Sequence, residues 1–443
     1  MGIQKLPLRL PLALGTVAVL CLLAYARALT LPLISDDYLQ IQLGRDYGPV
    51  SGWANLAADA LYRCRATSIL ITHWTEQLFG LNPVVFNLSS VLIHVLNSWL
   101  VLALGAWRVI GWRVSFVAAC FFAVAEGHQE AVMWYAALPE LLVFTFGLGS
   151  LLLWIAWVQG GPRPRLLYAA SLTCYVLALL SKESGVAVVP LLLLVLATEP
   201  DAWKERLLRI VPFAALAVVD FLLIYSARAN HLHFQDGTFS LHGPFWIVLP
   251  VSATRLLWIW GFLALLAICW WRARQWAALL AVSAVWMVVT LLPYSFLTYM
   301  PRVPSRHTYF ASVGLAMLFA AGFLTFRERW SARQWAVPLL AAAVVAQHCT
   351  YLWTRKHSQF LVRAAPTESL LAIANKHGGP IYLACFPYDR SIAKVTLQVI
   401  HGDRVPLIML EGAAPTEDVP VWNLCTAKPP GPIAMLPVSD AGN

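Results

Sequence analysis

Residues 10–38 read LPLALGTVAVLCLLAYARALTLPLISDDY, an apolar run of spanning length that ends on the acidic pair Asp36-Asp37. A carboxylate at the centre of a spanning helix costs about 2.5–3.5 kcal/mol on the insertion scale. The pair therefore belongs at a water-facing end, where it stays ionised and meets a polar substrate. Upstream, Lys5 and Arg9 precede the apolar core, and Ala26-Arg27-Ala28 resembles a signal cleavage site. Arg27 and the further apolar runs argue for an uncleaved first span.

Working outward, apolar runs recur near 84–107, 113–126, 138–158, 166–181, 185–198, 207–227, 244–270, 276–298, 309–326 and 334–353. With the first run they predict an all-α polytopic membrane protein of about eleven transmembrane helices. The 443 residues are 60% hydrophobic and only 12% charged, and mean hydropathy is +0.68. That composition excludes an ordinary soluble enzyme, since soluble chains carry about 25% charged residues. The net charge of +9 does not point to nucleic acid. Its basic residues fall in small groups between apolar runs, as the positive-inside rule requires.

Those groups fix an orientation. Lys5/Arg9, Arg108/Arg113, Arg163/Arg165, Lys204/Arg206/Arg209, Arg272/Arg274 and Arg327/Arg329/Arg333 occupy every second connection. They are expected in the cytoplasm, with the N-terminus. The alternating segments, 33–83, 127–137, 182–184, 228–243, 299–308 and the tail from about 354, are then external. The chain divides into a membrane domain, 1–353, and a tail, 354–443, which reads as a small soluble α/β unit with Ile381-Tyr382-Leu383-Ala384 as a strand and Pro429-Pro430 near its end. Trp53, Leu56, Leu61, Ile69, Leu70, Trp74 and Leu78 are spaced as amphipathic helices of the first external loop, 33–83. Of eight cysteines, Cys385 and Cys425 lie in the tail. Their pairing depends on an oxidising compartment and does not follow from spacing. No repeat of 20–50 residues is present.

The candidate chemistry gathers on the external segments. Asp36 and Asp37 suit a general base that takes a proton from an acceptor hydroxyl, or a simple helix cap. Arg63 suits an anion or a headgroup. Glu126, His128, Glu130 and Glu140 surround the second external loop without HExxH spacing, so no residue is assigned to a metal. Lys182-Glu183 puts a lysine on the external side, against the positive-inside rule. Lys182 is thus a phosphate candidate, or merely a partner for Glu183. Tyr299, Arg302, Arg306, His307 and Tyr309 form a second cationic cluster suited to a phosphate leaving group. Asp220 lies deep in the seventh run, and His94 and Asn97, one helical turn apart, read as an interhelical hydrogen-bonding pair.

Several segments together resemble the GT-C superfamily of polytopic glycosyltransferases, in particular protein O-mannosyltransferase-like enzymes and their bacterial relatives. The resemblance rests on Ser35-Asp36-Asp37-Tyr38, Tyr62-Arg63, Phe79-Gly80-Leu81-Asn82-Pro83 with Phe86-Asn87, His94-Val95-Leu96-Asn97, Trp134-Tyr135 through Glu140, Leu179-Leu180-Ser181-Lys182-Glu183, and Arg306-His307-Thr308-Tyr309. It covers residues 10–330, and the order of the segments carries it more than any one motif. It implies a GT-C-like fold in the inner (cytoplasmic) membrane of a cell envelope. It also implies an inverting transfer from a polyprenyl-phosphate sugar to an acceptor hydroxyl outside. Asp36 or Asp37 would be the base. Lys182, Arg302 and Arg306 would hold the lipid phosphate, with Arg63, Glu130, Glu140, Glu183 and His307 also on the substrates. A divalent cation is the one cofactor left open. The acceptor is a glycan, a lipid or a protein; the tetratricopeptide repeats of some relatives, which favour a protein, are absent. Two departures stand out. Cys64-Arg65 replaces the Pro-Leu that often follows Tyr-Arg, and Leu138-Pro139-Glu140 replaces an Arg-Thr-Asp. A lipid-linked-sugar transporter or flippase, favoured by Asp220, and a non-catalytic GT-C-like subunit are the alternatives.

Overall fold

In hydrocarbon a backbone must bond to itself, so each apolar run closes into a helix. The computed structural model describes residues 9–59, 61–199, 206–229, 239–298, 302–333, 335–410 and 420–425. Lys5, Lys204, Tyr299 and Pro429-Pro430 lie outside them. In chain order the helices are α1 (Leu10–Tyr25), α2 (Asp36–Tyr47), α3 (Trp53–Ala58), α4 (Ala66–Phe79), α5 (Pro83–Ala103), α6 (Gly111–Val124), α7 (Gln129–Met133), α8 (Leu138–Val158), α9 (Pro164–Leu179), α10 (Val188–Thr198), α11 (Val211–Ser226), α12 (Phe245–Trp270), α13 (Ala277–Leu291), α14 (Ser312–Arg329), α15 (Ala336–Thr350), α16 (His357–His377) and α17 (Arg390–His401). Seven helices among the described residues are long and apolar enough to cross a membrane. Gly111–Val124, Pro164–Leu179 and Glu183–Thr198 are apolar but shorter. Every expected apolar run thus becomes a helix, but not all have full spanning length.

Helix ends follow local chemistry. Phe79-Gly80-Leu81-Asn82-Pro83 is a stop followed by a start. Gly80 adopts φ +65°, where a side chain is disfavoured, and ends α4. Asn82 then caps α5 by accepting from the Val84 amide at 3.1 Å, with Pro83 in the first turn. The connection between the first two apolar runs, 33–83, is helical, as its spacing predicts, and Trp53, Trp74, Leu78 and Phe79 are exposed along it. Inside the bundle, Phe121 stacks on Phe319 at 4.2 Å. His94 meets the Tyr309 hydroxyl at 2.7 Å, and Asn97 donates to the Leu141 carbonyl at 3.0 Å. Both bond across helices, as their spacing predicts.

Helix α15 does not end where the tail was expected to begin. It continues through a π-helical turn, Tyr351–Lys356, into α16, giving 42 helical residues across position 353. A three-stranded parallel sheet follows: β1 (Ile381–Cys385), β2 (Leu407–Met409) and β3 (Val421–Asn423), in the order β2-β1-β3. Its core joins Ile381, Leu383 and Trp422 to Leu370 and Ile373 of α16. Cys385 and Cys425 form a disulfide that ties the end of β1 to the residues just after β3. Helix α17 packs on α2, the helix that opens with the acidic pair.

Candidate active site

Ser35 precedes α2 with φ 49°, a strained value for a residue with a side chain. This turn places both aspartates in the first turn of α2, where unpaired amides favour negative charge. The two then part ways. Asp37 is 1% exposed. One of its carboxylate oxygens accepts from the Ile34 amide at 2.7 Å and the other from the Ala136 amide at 2.7 Å. It staples the start of α2 to the turn before α8. Burial pushes its carboxyl up to about 7 despite those amides. Asp36 is half-buried and, among the described residues, takes one side-chain hydrogen bond, from the Ser35 hydroxyl at 3.2 Å. Burial raises its carboxyl, while Ser35, Arg306 and Arg363 pull the other way.

Those two arginines share one aromatic ring. The guanidinium of Arg363 lies 4.3 Å from the centre of Trp134, and that of Arg306 lies 5.2 Å from it. Glu130 stands 3.9 Å from each and accepts from the Arg306 amide at 3.2 Å. Burial pushes the Glu130 carboxyl up, but Arg306, Ser305 and Arg363 outweigh it and hold it below its ordinary value. Tyr388 and Asp389, between β1 and α17, also act electrostatically on Asp36 or feel its charge, and the Tyr388 hydroxyl donates to the Arg363 carbonyl at 2.6 Å.

A second cluster adjoins the first through the neighbouring pair Arg306-His307. Lys182 and His307 both bond to one oxygen of Glu140, and Tyr294 donates to the other at 2.7 Å. The Tyr294 ring stacks on His307 at 4.4 Å. Burial pulls the Lys182 ammonium down, against the pull of Glu140. Burial and Lys182 lower His307 to about 3, so it serves as a neutral donor. Glu183 turns the other way and takes two bonds from Arg65, at 3.1 and 3.3 Å.

The sequence-derived candidates therefore fall into separate groups. Asp36, Asp37, Glu130 and Arg306 come together. Glu140, Lys182 and His307 form the adjoining buried cluster, and Lys182 points at Glu140 as its ion partner. Glu183 belongs to Arg65. Arg63 lies within electrostatic reach of Asp220, and each leaves a buried polar atom without a hydrogen-bond partner. Arg302 is exposed and acts electrostatically on Arg255, whose guanidinium donates to the Val303 carbonyl at 3.1 Å. Among the described residues, no three or more His, Cys, Asp or Glu gather as a metal site. Arg363 and Tyr294 were missed. Arg363 stands in the segment assigned to the tail, and Tyr294 is buried in an apolar run whose one local signal is Pro293.

No family model and no curated protein matches this chain. Solved structures do. ArnT from Cupriavidus metallidurans, in crystal structures bound to undecaprenyl phosphate and in the apo state, is similar over 91% of this chain and 86% of its own, with TM-score 0.56 and 16% identity. An oligosaccharyltransferase from Archaeoglobus fulgidus, tethered to an acceptor peptide containing the NVT sequon, is similar over 90% of this chain and 64% of its own, with TM-score 0.51 and 9% identity. The helix order, the helical connection between the first two apolar runs and these likenesses agree: the chain has the fold of the GT-C glycosyltransferases.

Proposed function

We propose that the protein is an inverting membrane glycosyltransferase that moves a sugar from a polyprenyl-phosphate donor to an acceptor hydroxyl. The observation that carries this reading is a half-buried carboxylate, Asp36, acted on by two guanidinium groups held over Trp134. An acceptor oxygen attacks the sugar's anomeric carbon while Asp36 takes its proton. The bond from that carbon to the phosphate oxygen breaks on the opposite face, so configuration inverts. The polyprenyl phosphate leaves with one more negative charge, which Arg306 and Arg363 offset. Asp37, tied to two amides, positions the turn and does not take the proton. Lys182 acts through Glu140 and His307 as a positioning residue rather than as the phosphate ligand its sequence context favours. In this reading the exposed Arg302 attracts the donor phosphate without touching the reacting atoms.

ArnT supports the donor class, because its solved structure holds undecaprenyl phosphate. In this reading the protein sits in the inner membrane with its N-terminus cytoplasmic and α16, α17 and the sheet external. The acceptor is a glycan, a lipid or a protein. The test uses purified full-length protein offered a panel of polyprenyl-phosphate sugars, with product and anomeric configuration read by mass spectrometry and NMR. Transfer with inversion, lost in Asp36→Asn but retained in part by Arg302→Gln, supports the proposal. Transfer with retained configuration, or full activity in Asp36→Asn, refutes it.

A further inference from the structure

The C-terminal halves of α12 and α14 border a groove whose lining includes none of the residues used by the proposed reaction. Helix α12 runs over 26 residues, and the part beyond Trp258, 259–270, spans roughly 18 Å at the helical rise. Its helical geometry breaks at Trp258 (φ 39°, ψ −153°), and the groove lies wholly beyond that break. Where α12 meets α14, the contact is close. A methyl group added at Gly322 would stand 2.7 Å from the Ala264 backbone. Beside this contact the two helices and α15 leave an apolar groove of about 490 Å³, a size that holds a small-molecule ligand. Its walls include Leu263, Ala267, Trp270, Phe323, Phe326 and Leu340.

The mouth of the groove is aromatic and basic. Trp271 and Phe326 approach at 6.3 Å, Phe326 stacks on Trp330 at 5.2 Å, and the Arg333 guanidinium lies 5.1 Å from the Trp330 ring. Arg329 donates to the Trp271 carbonyl at 3.5 Å. The described residues of these helix ends carry exposed Arg272, Arg274, Arg327, Arg329 and Arg333 against a single acid, Glu328. Hydrocarbon tails gain little by leaving the bilayer for an equally apolar groove, so the walls alone do not select a lipid. Selection falls to the arginines, which favour a headgroup that keeps a net negative charge.

We infer that this groove, with Arg329 and Arg333 at its mouth, is a binding site for an anionic diacyl phospholipid, one acyl chain lying between α12, α14 and α15. The site is separate from the donor site and stands whether or not the proposed reaction is correct.

Native mass spectrometry of the full-length protein, titrated with dioleoyl phosphatidylglycerol or dioleoyl phosphatidylcholine, tests it. Phosphatidylglycerol binds more tightly. Each lost arginine weakens it about fivefold, so Arg329→Gln with Arg333→Gln removes most of the preference and leaves phosphatidylcholine unchanged. Ala267→Trp, which fills the groove without touching charge, weakens both lipids, with folding checked by gel filtration. Equal binding of the two lipids overturns the assignment, as does a preference that survives the double substitution or an Ala267→Trp protein that binds as before. Displacement of phosphatidylglycerol by undecaprenyl phosphate also overturns it, since the groove would then belong to a polyprenyl tail.

Discussion

Replacing Glu140 by Gln tests whether Lys182 is a structural cation or a substrate ligand. Lys182 is 8% exposed and Glu140 4% exposed, so the pair is out of water. Gln keeps the shape and one acceptor oxygen, which serves His307, while its NH2 faces the Tyr294 hydroxyl, which accepts from it and donates to Ser184 instead. The ammonium is then left buried without a counter-ion. Removing one partner of such a pair costs about 3–5 kcal/mol, because the survivor's desolvation is no longer offset. At about 1.4 kcal/mol per tenfold, that shifts the folded-to-unfolded ratio by roughly two to three and a half orders of magnitude. Lys182→Met alone exposes the opposite problem, a buried carboxylate with only neutral donors, at a similar cost. The double variant Glu140→Gln/Lys182→Met removes both charges and is expected to recover most of the loss, since apolar replacement of a whole buried pair is often close to neutral. Unfolding of all four proteins in detergent, with donor affinity measured in parallel, completes the cycle. The reasoning fails if Glu140→Gln is as stable as the parent. It fails equally if Lys182→Met keeps full stability and loses only donor binding, which would make the lysine the phosphate ligand after all.

The two aspartates are expected to separate. Asp36→Asn lowers turnover by about 10²–10⁴ with the fold intact, as for loss of a general base. Asp37→Asn instead costs roughly 1–3 kcal/mol of stability, because its amide presents N–H to one of the two backbone donors; equal effects of the two on turnover and stability would contradict this division. Activity is expected to rise with pH, its acid limb lying above the ordinary carboxylate range, because burial raises Asp36 and the base must be ionised. A limb at the value of a free carboxyl would count against that burial. For Asp37 the folded value, about 7, exceeds the ordinary 3.8, so its contribution to stability is complete below about pH 4 and is lost as pH rises through 7; unfolding followed across that window should show a decline that Asp37→Asn abolishes. Cys385→Ser, which opens a crosslink spanning 40 residues, is expected to cost about 2–4 kcal/mol in the C-terminal unit. Hydrogen exchange would place that loss in 381–425, and unchanged protection there would refute it.

The membrane helices were legible because their signal is local: an apolar run of sufficient length has few alternatives to a helix in hydrocarbon. The stop and start around Gly80, Asn82 and Pro83 is equally local in origin, although the segment was read only as part of the family resemblance. The acidic pair was legible as a position, but not the division within it. Which of two adjacent carboxylates meets backbone amides depends on where residues 34 and 136 lie, and they are brought together only by the fold. Lys182 was read as a phosphate ligand from the charge rule for loops. That rule concerns topology and is blind to Glu140 on the facing helix. Arg363 gave no signal because it was assigned beyond the break at 353, where the helix in fact continues. Arg302 and Arg306 looked equivalent in sequence, yet only Arg306 lies over Trp134.

Arg363 also bears on the departure at 138–140. The family resemblance leads one to expect an arginine just before the fourth apolar run, and this chain has Leu138-Pro139-Glu140 there. A phosphate leaving group still needs positive charge close to the base. Here one guanidinium comes from the segment just before α14 and a second from α16, and both rest on Trp134, a few residues before the gap. An arginine carried on a helix from the far end of the chain is useful only if that helix is held in place. Three features hold it: the unbroken run from α15, the sheet closed by the Cys385–Cys425 crosslink, and α17 packed on α2. On the proposed reaction, α16 and α17 form a wall of the candidate site rather than an appendage. The charge balance around Asp36 then depends on residues more than three hundred positions away from it in sequence.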